Sequence, residues 1–170
     1  MPFPKLVPGA VCAALLGSPA LAQQAEIVQH QDWTLACEAG STSGGRQCMM
    51  RQVLLNPRTD APILVVMIAF NEHNRTAPLH AFNLPRTIPR DGIVTFQVDD
   101  RGQHGLPVLA CNEEMCTALA KLPADVAGEF KRGLAATVTM PLPDGRRIAL
   151  TMPLRGFTAA YETLEERNRG

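Results

Sequence analysis

The sequence predicts an all-β protein, a sandwich of about seven to nine short strands finished by one short helix and a C-terminal amphipathic helix. Three observations carry that expectation. Apolar residues alternate at period two in Trp33–Cys37, Val94–Val98, Ala136–Met140 and Ile148–Leu154. Turn-forming clusters of Gly, Pro, Asn and Asp recur at about ten-residue spacing between those runs. No internal repeat, low-complexity stretch or long linker divides the chain, so it reads as a single domain.

The first residues read as an export signal. Lys5 supplies a positive charge, Val7 to Leu16 is mostly apolar, and Ala20-Leu-Ala22 has the small-residue pattern that signal peptidase requires. The expected arrangement is a leader over residues 1–22, cleavage after Ala22, and a domain over residues 23–164 with a charged, frayed tail at 165–170. The apolar run is short for the roughly 20 residues of a membrane span, and Gly9-Ala-Val11 before Cys12 is a poor lipobox. Loss of the leader would leave 16 minus Lys5, or 15, basic residues against 16 acidic ones. Near-neutral charge without a basic cluster argues against nucleic acid or an anionic membrane as the main partner. No later stretch reaches transmembrane length, so a periplasmic or secreted product is expected.

Four cysteines would remain, an even number in an exported chain, which suggests disulfides. Three pairings exist. Cys37–Cys48 with Cys111–Cys116 is preferred, because each pair brackets a turn-rich segment. Loop-closure entropy then contributes roughly 3 kcal/mol for the first and about 2 kcal/mol for the second. A four-cysteine zinc site is the rival, but the x10 and x4 spacings differ from paired C-x2-C knuckles.

In chain order, residues 25–30 suit an edge strand, and Trp33, Leu35 and Cys37 share the inward face of the next. Trp33 is expected in the core beside the disulfide. Gln47 to Leu55 follows as a strand, and Asn56 to Pro62 is a turn whose prolines forbid a continuing ladder. Ile63 to Phe70 is apolar throughout and suits a strand buried on both faces. Asn71 to Ala77 reads as a polar loop containing the sequon Asn74-Arg-Thr76, and Leu79 to Leu84 as a short strand. Pro85 and Pro89 bracket an irregular crossing. Gly92 to Val98 alternates, and Asp99 to Gly102 turns the chain towards Leu106–Cys111.

Around Val108–Ala120 an apolar run reaches Cys111, four residues turn, and Cys116 leads into a second apolar run, so two strand ends are tied across an acidic turn. Beyond it, a short helix opens at Pro123, carries Val126 and Phe130 on one side and stops at Gly133. Leu134 to Met140 and Ile148 to Leu154 form a hairpin through Pro143-Asp-Gly145, where glycine accepts positive φ. Phe157, Ala160, Tyr161 and Leu164 recur at helical spacing.

No motif pairs a nucleophile with a base, and no cofactor fingerprint is present, so the residues single out no enzyme. His30, His73, His80 and His104 are dispersed; a metal carrier or enzyme assembled from them and from Met49, Met50 and Met115 is the alternative to a binding protein. Glu113 and Glu114 could act as paired carboxylates, although a solvated turn is the plainer reading. Asn112, Glu113, Glu114 and Met115 form the candidate interaction loop, with the Cys37–Cys48 loop as a second rigid tip, for an envelope protein partner.

From Asp32-Trp33 to Leu164 the chain resembles the invasion-associated locus B family of exported alphaproteobacterial proteins. The resemblance rests on Asp32-Trp33 with Cys37; Asp91-Gly92 followed by Val94, Phe96 and Val98; Cys111-x4-Cys116; the helix over 122–133; and Leu154-Arg-Gly156-Phe157-Thr-Ala-Ala160. It implies an immunoglobulin-like β-sandwich in the periplasm or envelope. The family name comes from a role in invading host red cells and implies no molecular activity, and the family supplies no catalytic residues. Met115 stands where the family usually has glycine, and Arg86-Thr87 where many members have glycine, so the turn and the crossing are not transferred.

Overall fold

The structure, a computed structural model, describes residues 26–39, 46–71 and 74–169, without the side chains of 74–76. The expected leader over 1–22 with Lys5 and Cys12, residues 40–45 of the first disulfide loop, and His73 lie outside the described residues. Within them the chain forms β1 (Glu26–His30), β2 (Trp33–Ala39), β3 (Arg46–Leu55), β4 (Pro62–Asn71), β5 (Asn74–Pro85), β6 (Ile93–Val98), β7 (Gln103–Cys111), β8 (Met115–Lys121), α1 (Ala124–Arg132), β9 (Ala135–Pro141), β10 (Arg147–Pro153) and α2 (Phe157–Arg169).

The all-β expectation is met. The described strands number ten rather than seven to nine, because the short segments at 26–30 and 79–84 pair along their whole length. All join one antiparallel sheet in the order β1-β2-β3-β4-β5-β8-β7-β6-β9-β10. β5 therefore pairs with β8, and the chain crosses from β5 to β6 through Arg86–Gly92. β7 is shared: Gln103–Pro107 pairs with β6, and Val108–Cys111 pairs with β8 across a register shift between Val108 and Ala110.

At that strand the sheet folds over itself. β5 and β6 stand three places apart, about 14 Å in a flat sheet. Yet the rings of Phe82 and Phe96 are 5.6 Å apart at their centroids. Likewise Gln52 of β3 donates through Nε2 to the carbonyl of Pro153 at the end of β10, 3.0 Å away, although seven places separate the strands. The two halves thus face one another across a common core, an arrangement compatible with a sandwich.

Period-two alternation selects what enters that core: Leu35, Met50, Val66, Phe82, Val94, Val138 and Met152 are buried. Both helices close the gap between the layers. Phe130 of α1 meets Phe96 at 5.4 Å and Phe157 of α2 at 5.2 Å, while Trp33 meets Phe157 edge-on at 5.1 Å. Trp33 is in the core as expected, and its aromatic partner is the helix residue Phe157.

Several local expectations are corrected. Only one face of β4 is fully buried; Ile63, Val65, Met67 and Ala69 are half-buried on the outer face, because both helices pack on the inner side. Asn74 already belongs to β5, so the loop expected over 71–77 is shorter. Leu134 is 82% exposed, since β9 begins one residue later. The charged segment 165–169 continues α2 rather than fraying: Arg167 donates to Glu26 at 2.6 Å and Lys131 approaches Glu165 at 3.6 Å.

The N- and C-terminal motifs meet. Arg155 donates through Nε and Nη2 to both carboxylate oxygens of Asp32, each at 2.9 Å. Gly156, at φ +83°, lies against the carbonyl of His30, where a Cβ would overlap it. The β1–β2 turn is thereby clamped to the start of α2.

Candidate functional site

The Asn112–Met115 turn projects between β7 and β8, and three local features fix its shape. Cys111 and Cys116 face each other in register and are joined by a disulfide with Cα atoms 4.0 Å apart. Asn112 accepts at Oδ1 from the amides of Glu114 at 2.9 Å and Met115 at 2.8 Å, and its own amide donates to the Met115 carbonyl at 2.9 Å. A short polar side chain bonding backbone two residues on is the asparagine turn device. Arg86, from the β5–β6 crossing, donates to the Glu113 carbonyl at 3.3 Å. The Glu113 and Glu114 side chains are left pointing outward and exposed.

Beside this tip the open end of the folded sheet leaves a cleft of about 350 Å³. Ile63 of β4, Ile88 of the crossing, Met140 and Leu142 around the end of β9, and Leu150 of β10 give it an apolar lining, and Arg58 stands at its edge. Ile148 at the same cleft is 41% exposed. The lining comes from both halves of the sheet, so no single segment announces it.

The second disulfide, Cys37–Cys48, joins β2 to β3 in register, as its bracketing of a turn predicts. Cys48 lies level with the end of β4, since its neighbour Met49 pairs with Ala69, whereas Cys116 pairs with Leu84, level with the start of β4. The two disulfides therefore lie at opposite ends of the molecule.

Of the described histidines, His80 and His104 lie near one another on either side of Phe96, and His30 lies elsewhere. His30 Nε2 lies 3.3 Å from Thr163 Oγ1, and His104 Nε2 lies 2.9 Å from Glu129 Oε2. His80 is 2% exposed, and burial, reinforced by the charge of His104, pulls its pKa down to about 4. Among the described residues no three His, Cys, Asp or Glu side chains converge to hold a metal. Met50 fills the core, while Met49 and Met115 are partly exposed. No described helix is long and apolar enough to cross a membrane.

Fold and site together define a small all-β domain with two cross-strand disulfides and a stiffened acidic turn beside an apolar cleft. The family model described as "Invasion associated locus B (IalB) protein" matches residues 33–165, and the chain belongs to that family. Its structure is similar to the crystal structure of invasion associated protein b from Bartonella henselae, with a TM-score of 0.73 and 17% identity over 85% of this chain and 97% of that one. At that identity the likeness establishes the fold. No curated protein matches the sequence.

Proposed function

We propose that the protein is an exported, non-catalytic binding protein of the bacterial envelope, and that it docks a partner protein on the pole carrying the Asn112–Met115 tip. The observation that carries this reading is the apolar cleft of about 350 Å³ set directly beside that tip. A turn already fixed by a disulfide and by Asn112 loses little conformational freedom on binding. The cleft receives an apolar side chain of the partner, and Glu113 and Glu114 face its basic groups. Export is supported by Lys5, the apolar run to Leu16 and Ala20-Leu-Ala22, by two disulfides, which persist in oxidising compartments, and by family membership. The mature product, cleaved after Ala22, is periplasmic or secreted.

The test is crosslinking in cells from a photoreactive residue placed at Glu114, compared with one at Glu38 on the opposite pole, followed by mass spectrometry. One recurrent envelope protein is expected from position 114, lost when Leu142→Asp spoils the cleft and absent from position 38. Background proteins alone from position 114, or the same partner from both poles, would refute the placement.

A further inference from the structure

β10 is one edge of the sheet and pairs with β9 alone. The register fixes the direction of each of its backbone groups. Asp99, one residue beyond the Val98–Ala136 pair, donates to the carbonyl of Ala135. The odd-numbered residues of β9 therefore bond to β6, and the even-numbered ones turn to β10. Accordingly, Leu154 donates to Leu134 and Leu142 to Arg146. Across this ladder Ile148, Leu150 and Met152 face β9, so the N–H and C=O groups of Arg147, Ala149 and Thr151 point away from the sheet.

That edge is covered at one end and open at the other. The outward carbonyl of Arg155 accepts from the Asp32 amide at 3.3 Å, and that of Pro153 from Gln52 Nε2 at 3.0 Å. Pro153 has no N–H to leave unpaired. Arg147, Ala149 and Thr151 are exposed, and among the described residues their edge groups have no partner. Native sheets blunt such edges with proline, charge, a bulge or a covering segment. Here Arg147 is the one charge along Arg147–Thr151, and the ladder with β9 has no bulge. The open stretch is also the one that borders the apolar cleft. Ile148 and Leu150 line it from β10, and Asn56, Pro57 and Arg58 stand on its other side. The gap thus lies between an unpaired edge and the β3–β4 turn, and it closes at the Gln52–Pro153 contact.

We propose that an extended segment of the docked partner adds to this edge as a further strand, with alternate apolar side chains entering the cleft. This rests on the reading that a partner docks at the acidic pole. One extended chain fits the gap, whereas the β10 of a second copy would bring its own β9 against the β3–β4 turn. Five residues of edge span about 17 Å and offer three donors and three acceptors. Side chains of the added strand fall alternately beside Ile148 and Leu150, over the cleft, and on the outer face in solvent. Main-chain bonds of this kind give affinity, and the pocket for alternate side chains gives selectivity.

The probe is a capped heptapeptide of alternating threonine and valine with a lysine at each end, titrated into isotope-labelled protein. Saturable NMR shifts of the Arg147, Ala149 and Thr151 amides are expected, with slowed hydrogen exchange at all three. N-methylation of the threonine amides and of the valine amides blocks opposite sides of the strand. One set should weaken binding about tenfold or more, and the other should leave it little changed. Ala149→Pro removes an outward N–H and none that pairs with β9, so it should weaken binding about fivefold with little change in melting temperature. No saturable shift at these amides, or two methylated peptides that bind alike, overturns the proposal, and neither outcome involves a substituted protein. In cells, undiminished capture from position 114 in Ala149→Pro sinks the strand pairing and leaves the docking at this pole standing. Background alone from position 114 in the unsubstituted chain, with peptide binding intact, sinks the docking and not the edge site.

Discussion

His80 shows how a single side chain sets a pH limit on the whole fold. Its pKa in the folded protein, about 4, lies below the ordinary 6.5 because burial penalises the imidazolium, with His104 adding repulsion. The unfolded chain consequently takes up the proton first. The stability that depends on neutral His80 is fully present above pH 6.5 and is lost as pH falls towards about 4. The loss is of the order of 3 kcal/mol. Denaturant titrations across this range should show that fall in the native protein and a much flatter profile in His80→Phe. Glu26 and Asp99 add a separate loss at lower pH. The Glu26 carboxyl is held below its usual range chiefly by the Arg46 hydrogen bond, and that of Asp99 by the amide of Ala135.

Among elements, the junction of β10 and α2 leaves little room for change. Gly145 and Gly156 both adopt positive φ, at +81° and +83°, but only Gly156 has backbone against the position of a Cβ. Gly145 meets nothing, so its replacement costs conformational strain alone. At Gly156 an alanine must also displace the His30 carbonyl, and with it the turn that Asp32 and Arg155 hold in place. We expect Gly156→Ala to cost about 3 kcal/mol and Gly145→Ala about 1 kcal/mol, read as the shift in denaturation midpoint. Equal losses would show that the close approach at His30 relaxes freely. The same junction gives physical content to two distant parts of the family resemblance, since Asp32-Trp33 and Arg155-Gly156-Phe157 are contact partners.

For the whole molecule, the two disulfides staple opposite ends of one continuous sheet, closing loops with separations of 11 and 5 residues. Their combined contribution, about 5 kcal/mol from loop closure, is comparable with the whole stability of a small domain. Reduction should therefore lower the melting temperature markedly, and Cys37→Ser with Cys48→Ser should cost more than Cys111→Ser with Cys116→Ser. The same scale separates what the sequence reveals from what it hides. Strands and α2 were legible because period-two and helical spacing are local, and the disulfides because each closes one hairpin. The pairing of β5 with β8, and the folding over at β7, depend on contacts between remote segments, here Phe82 with Phe96 and Gln52 with Pro153. The apolar cleft likewise draws its lining from several strands. The sequence shows His80 only as one histidine in a short strand, and nothing local distinguishes it from a surface residue.

The ion pairs of Glu26 with Arg46 and Arg167 have a further consequence. They draw the first described strand and the last turn of α2 to the pole of Cys37–Cys48, away from the acidic turn. The described part of the chain therefore begins and ends at that pole. A linker attached at Arg169 would start at the pole opposite the acidic turn, so the surface proposed to bind a partner would stay uncovered.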